Sequence, residues 1–172
     1  MKRRLTLVAA IGLVVLLNIA QTECPQPPFD ASGDYEGQWW GQSNDMTQEV
    51  VACPLTMHLE QDLTAKYPKD HEVRGVVTVD YSCLELPEWV GEIPPSEVNV
   101  VGLLEDDNKL SLVSGGCGTG LCVVLALAGQ GEDTNSDGLM DAYSGSWSFT
   151  IMLAGVQPFG VTGGYSVARS AE

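Results

Sequence analysis

Residues 133–141 read DTNSDGLMD and form the strongest local motif in the chain. Asp133, Asn135 and Asp137 alternate, Gly138 permits a sharp turn, Leu139 can offer its backbone carbonyl, and Asp141 sits at the ninth position. This spacing curls several oxygens around one point, and Ca²⁺ asks for about six to eight of them. Other chemistries find less. His58 and His71 belong to neither HxxxH nor HExxH, so a zinc hydrolase has no ligands to name. No GxSxG occurs. Gly115, Gly116, Gly118 and Gly120 precede a strand rather than a helix, so they do not make a phosphate loop. Asp106 and Asp107 read as a solvated turn. The chain is expected not to be an enzyme.

The 133–141 stretch resembles the EF-hand-like loops of dockerins and thrombospondin-type repeats. It departs from the EF-hand at the twelfth position, where Ser144 stands in place of a bidentate Glu, and no helices flank it. A full EF-hand is excluded. A weaker Ca²⁺ site, completed by Glu132 or water, is the expectation, with Asp133, Asn135, Asp137, Leu139 and Asp141 as ligands. The alternative is an acidic turn whose Asx side chains bond only its own backbone.

The cysteines are Cys24, Cys53, Cys83, Cys117 and Cys122. Lys2, Arg3 and Arg4 precede an apolar stretch over residues 5–20, so residues 1–20 read as an export signal. Residues 21–32, with Pro25, Pro27 and Pro28, read as a flexible leader to a single domain at 33–172. The expected location is extracytoplasmic: periplasm, cell envelope or secreted. An odd cysteine count in an exported protein asks for a reason. A lipid on Cys24 would leave four cysteines for two bridges, although Gln21, Thr22 and Glu23 suit a lipoprotein site poorly; otherwise Cys24 is a free thiol. The formal charge is −15, and loss of Lys2, Arg3 and Arg4 with the signal makes it three units more negative. Such a surface repels phosphate backbones and anionic lipid. Nucleic acid is therefore excluded as a partner, and a membrane is reached only through a signal anchor or lipid on Cys24.

Something must position these groups, and the pattern is all β. Tyr143, Gly145, Trp147, Phe149 and Ile151 alternate with polar residues, as do Phe159, Val161, Gly163, Tyr165 and Val167. A period of two with one apolar face means a half-buried antiparallel strand. Strands are expected near 33–41, 49–64, 72–83, 97–105, 109–115, 122–130, 142–152 and 159–169. Short connections make an eight-stranded antiparallel up-and-down meander, and closure into a barrel removes its exposed edges. Folding the second strand on the third about 65–71 sets Cys53 opposite Cys83 and pairs Leu55 with Tyr81, Met57 with Val79, Leu59 with Val77 and Leu63 with Val73. All fall on one face, so a Cys53–Cys83 bridge is predicted. Cys117 and Cys122 flank a tight hairpin loop and are predicted to staple it.

The meander resembles the calycin group of lipocalin-like and avidin-like barrels on Gly37-Gln38-Trp39 in the first strand and Arg169 ending the last. That resemblance implies that Trp39 packs against Arg169 and closes one end. The chain is also similar to small bacterial metalloprotease inhibitors at Gly37, Trp39, Cys53, Cys83 and Arg169. In those, the leader enters the protease cleft, which here would fall to residues 23–32.

The loops sort to two ends. One receives 42–48, 84–96, 116–121 and 153–158; the other receives both termini, 65–71, 106–108 and 131–141. The 84–96 loop carries Trp89, Val90 and Ile93, apolar residues with no strand to join. Either Trp89 stands exposed as an anchor at a mouth, or it folds down as a lid. The 133–141 loop lies at the other end, so its ion would be structural. The functional expectation is a non-enzymatic exported barrel that binds a small ligand or protein at its loop end. A protease inhibitor and a structural envelope lipoprotein are the alternatives.

Overall fold

The computed structural model describes residues 25–90, 96–118 and 121–171. The signal at 1–20, Cys24 and Ile93 lie outside the described residues. The strands are β1 (Gly33–Ser43), β2 (Glu49–Gln61), β3 (Glu72–Val79), β4 (Glu97–Leu104), β5 (Lys109–Gly118), β6 (Leu121–Glu132), β7 (Ala142–Leu153) and β8 (Phe159–Arg169). Each pairs antiparallel with the next, and β1 pairs with β8, so the eight-stranded meander closes into a barrel.

Alternation sets which side chains enter. Along β7, Tyr143, Trp147, Phe149 and Ile151 are buried, while Ser146 and Met152 are exposed. Outward positions on β1–β3 carry the exposed charges Asp34, Glu36, His58, Glu60 and Arg74. On these three strands the face is apolar inside and charged outside, the inverse of a strand in a membrane-spanning barrel, whereas Val101, Leu103 and Val113 stand exposed on β4 and β5. No helix among the described residues is long and apolar enough to cross a membrane.

Closure depends on Gly37. A Cβ there would run into the Ser166 carbonyl and the Val167 Cα of β8. Its absence lets β1 approach β8 closely enough to pair along Tyr35–Arg169 through Ser43–Val161.

The β2–β3 pairing differs from expectation by two residues. Leu55 faces Val79, Met57 faces Val77, Leu59 faces Gly75 and Gln61 faces Val73. The side-chain faces survive, because a two-residue slip preserves parity. The cause lies beyond β3: the chain leaves the strand at Val79 and makes a 3₁₀ turn at Tyr81–Cys83, where the Asp80 side chain accepts from Ser82 N at 2.8 Å. That turn returns Cys83 to Cys53 without strand pairing, and the disulfide forms. Leu63 falls beyond β2 and is exposed. The Cys117–Cys122 disulfide staples the β5–β6 hairpin.

The second difference concerns closure of the end that holds the chain termini. The residue beneath Arg169 is Tyr35, not Trp39. The guanidinium lies 5.3 Å from the Tyr35 ring centroid, and Nη2 donates to Tyr35 Oη at 3.1 Å. Arg169 Nε donates to the Met140 carbonyl at 2.8 Å. Trp39 sits four positions along β1, opposite Tyr165, with its ring 4.3 Å from that of Trp147. Register places Tyr35 across from Arg169, and four residues of strand keep Trp39 out of its reach. Arg169→Met keeps the length of the side chain and removes these polar contacts. It is expected to cost about 2 kcal/mol, since hydrogen bonds from a charged group outweigh neutral ones. Urea unfolding measures it, and a loss within experimental scatter would show that Arg169 is not the clasp.

Candidate functional site

The meander separates two ends of different chemistry. At one end, Asp30 joins Leu139 in an isolated bridge: Asp30 N donates to the Gly138 carbonyl at 2.8 Å, and Met140 N donates to the Asp30 carbonyl at 2.9 Å. Phe29, Ala31 and Met140 are buried. Tyr35 Oη donates within reach of the Ala31 and Met140 carbonyls, at 3.0 and 3.1 Å. Burial pushes the Tyr35 hydroxyl up to about 12, with Arg169 opposing the rise. The last residues of the expected leader are therefore a plug in the base of the barrel, held by burial and backbone bonds. Their apolar residues Phe29 and Ala31 were the only local sign of this. Whatever the leader does elsewhere is left to residues before Phe29.

The 133–141 loop rests on that plug. Asp133 Oδ2 accepts from Gly138 N at 2.9 Å, and Asn135 Oδ1 accepts from Asp137 N at 2.9 Å. Asp137 Oδ1 accepts from Leu139 N at 2.9 Å, and Asn135 Nδ2 donates to Asp137 Oδ2 at 3.1 Å. Gly138 takes a φ of 83°, which a side chain would resist. Asp133, Asn135 and Asp137 are thus brought together. Asp141 instead turns back: its Oδ2 accepts from Thr134 Oγ1 at 2.6 Å and Thr134 N at 2.7 Å. Those two bonds hold the Asp141 carboxyl below the usual carboxylate range. The donor set is all oxygen and suits a hard cation in type. In geometry, three side chains gather and the fourth is committed to Thr134.

At the opposite end is the mouth. Val90 is buried and Trp89 is half-buried against the core, so this part of the 84–96 loop folds down as a lid. The loop is clamped to the β1–β2 turn by Gln48, whose Nε2 donates to the Glu85 carbonyl at 2.7 Å and whose Oε1 accepts from Glu85 N at 2.9 Å. Beside it opens a groove of ≈ 590 Å³ walled by Val79, Tyr81, Leu84 and Leu86.

His71 is buried, with Nδ1 2.9 Å from Asp70 Oδ1 and Nε2 3.3 Å from Asp106 Oδ1, and Tyr67 packs edge-on over its ring. Sequence reasoning left this cluster out, although it set 65–71 and 106–108 at one end. The two contacts tie the β2–β3 loop to the β4–β5 turn, and among the described residues no hydroxyl or thiol is hydrogen-bonded to His71. Cys53, Asp80 and Cys83 place ligand atoms within 4.8 Å of one another. Their two sulfurs are already joined, and metals bind thiolates, so the group is a disulfide with a neighbouring acid rather than a metal centre.

Among the described residues, the inward side chains pack the lumen closely. Tyr35, Trp39, Leu55, Leu59, Leu110, Leu125, Phe149 and Tyr165 are each at most 1% exposed. Their rings interlock: Trp147 packs on Trp39, Phe149 is 6.4 Å from Trp147, and Tyr81 is 5.0 Å from Phe149. No family model matches the chain, and no curated protein matches it.

Proposed function

We propose that this protein is a non-enzymatic, exported barrel that engages a protein partner with its outer surface rather than a small ligand in its lumen. The filled interior carries this reading, because barrels that hold ligands leave a cavity for them. Two disulfides fit an oxidising compartment, which agrees with the apolar segment read as a signal. A native intact mass spectrum of the protein from its own envelope or medium tests the proposal. The expected species has both disulfides and no organic ligand. A retained small-molecule mass would overturn the reading.

The same spectrum reports a lipid on Cys24. A calcium ion on Asp133, Asn135, Asp137, Asp141 and the Leu139 carbonyl is part of the proposal. The ion would supply charge neutralisation to a loop that its own hydrogen bonds already close. Extracellular modules bind Ca²⁺ at about 10⁻⁴–10⁻³ M, so millimolar calcium should raise the melting temperature. Asp137→Ala should remove that rise, and in chelator it should lower the melting temperature only by the smaller cost of its bonds from Leu139 N and Asn135 Nδ2. Equal losses in both conditions would leave the loop as an acidic turn without an ion.

A further inference from the structure

We infer that the mouth groove docks a basic polypeptide segment that also carries apolar side chains. The inference rests on the partner-binding reading above and names the chemistry of the partner.

The groove supplies the apolar half of the argument. Val79, Tyr81, Leu84 and Leu86 wall a space of ≈ 590 Å³ that is open to solvent. Its walls are fixed before any partner arrives. The Cys53–Cys83 disulfide holds one side, the Gln48–Glu85 clamp holds the other, and Asp80 caps the turn between them. A preformed site avoids the ordering cost of assembling one on binding.

Charge selects the occupant. The cationic side chains of the described residues are Lys66, Lys69, Arg74, Lys109 and Arg169, with His58 and His71 as the titratable bases. All lie in the β2–β3 loop, the lower half of β2, the starts of β3 and β5, or the end of β8. None lies at the mouth. The mouth carries Asp45, Glu49, Asp80, Glu85, Glu88 and Glu97. The groove is therefore rimmed by one sign of charge, which repels acidic segments and draws basic ones. At Thr78 it meets a second groove of ≈ 470 Å³ on the outer wall, whose lining includes Asp34, Glu36, His58, Val76 and Glu97. An extended segment leaving the mouth would continue over three acids, a valine and one histidine, whose ring lies 2.7 Å from the Asp34 carboxylate. A second copy meeting mouth to mouth is opposed by the same charges.

The test uses the mature protein and a synthetic peptide alternating Leu and Lys, with binding read by tryptophan fluorescence and calorimetry. Two control peptides replace Leu by Ser or Lys by Glu. The alternating peptide should bind at least about tenfold more tightly than either control, and binding should weaken as salt shortens the screening length. The exposed double variant Glu85→Gln/Glu97→Gln should lower affinity about tenfold. Glu60→Gln/Glu105→Gln, which removes equal charge elsewhere, should leave it unchanged. Leu86→Ser should lower affinity without changing the salt dependence. Equal losses in both charge variants would reduce the effect to net charge and overturn the site. So would equal binding of the Ser control, or saturable self-association of the protein that the peptide does not displace. If peptide binding fails while the native mass shows no lumen ligand, only the partner's chemistry is wrong. A retained ligand would instead sink the partner-binding reading.

Discussion

Trp147→Ala is expected to destabilise the barrel by about 3–5 kcal/mol, a large share of the roughly 5–15 kcal/mol that holds a domain together. Trp147 is 3% exposed, lies 4.3 Å from Trp39 between ring centroids, and donates from Nε1 to the Trp40 carbonyl at 3.0 Å. Truncation removes one of the two indoles that pack together in the lumen, leaves a cavity between β1 and β7, and takes the Nε1 donor from that carbonyl. The urea midpoint should fall with no change in slope, as for a two-state domain whose unfolded surface is unaltered. The result bears on function. A loss near 1 kcal/mol would mean that the interior around Trp39 and Phe149 is loosely filled, and a ligand-binding lumen would return as the better reading.

Removing the Cys53–Cys83 bridge by Ala substitution at both positions is the second large effect. Its cysteines are 30 residues apart, and loop-closure entropy of that length gives about 3–4 kcal/mol. The Cys117–Cys122 pair spans a separation of 5, and the same argument gives about 2 kcal/mol. The larger bridge joins β2 to a 3₁₀ turn rather than to a paired strand, so its loss should act locally as well. Hydrogen exchange should accelerate over 80–90 while the Leu55–Val79 ladder stays protected. Uniform acceleration through β2 and β3 would show that the bridge holds the strands and not the mouth. The same variant should weaken the Leu-Lys peptide, because Tyr81 and Leu84 lose their anchor.

The β-strands, their order and their inward faces were readable from local pattern. Tyr143 to Ile151 and Phe159 to Val167 alternate, and side-chain direction along a strand is a local property. The β2–β3 register was wrong by two residues, because shifts of two keep every face and only the turn at Tyr81–Cys83 chooses between them. The partner of Arg169 was misassigned for a related reason: Tyr35 and Trp39 share a face, and pairing across the β1–β8 seam decides which is in reach. Asp133, Asn135 and Asp137 stood out as a set because their contacts span only a few residues. The turn of Asp141 onto Thr134 was hidden, since Leu139 and Asp141 are equally spaced in either arrangement.

By itself, then, the sequence determined the all-β class, the two disulfide pairs, the acidic balance and the loop with oxygen donors. Each follows from composition, parity or neighbours a few residues apart. Tertiary structure alone decided that, among the described residues, the inward side chains pack against one another, Phe29 and Ala31 plug the base, His71 lies between Asp70 and Asp106, and the mouth carries acids without a cation. These are statements about residues far apart in the chain. Packing density and charge distribution are fixed only when the closed meander brings eight strands around one axis.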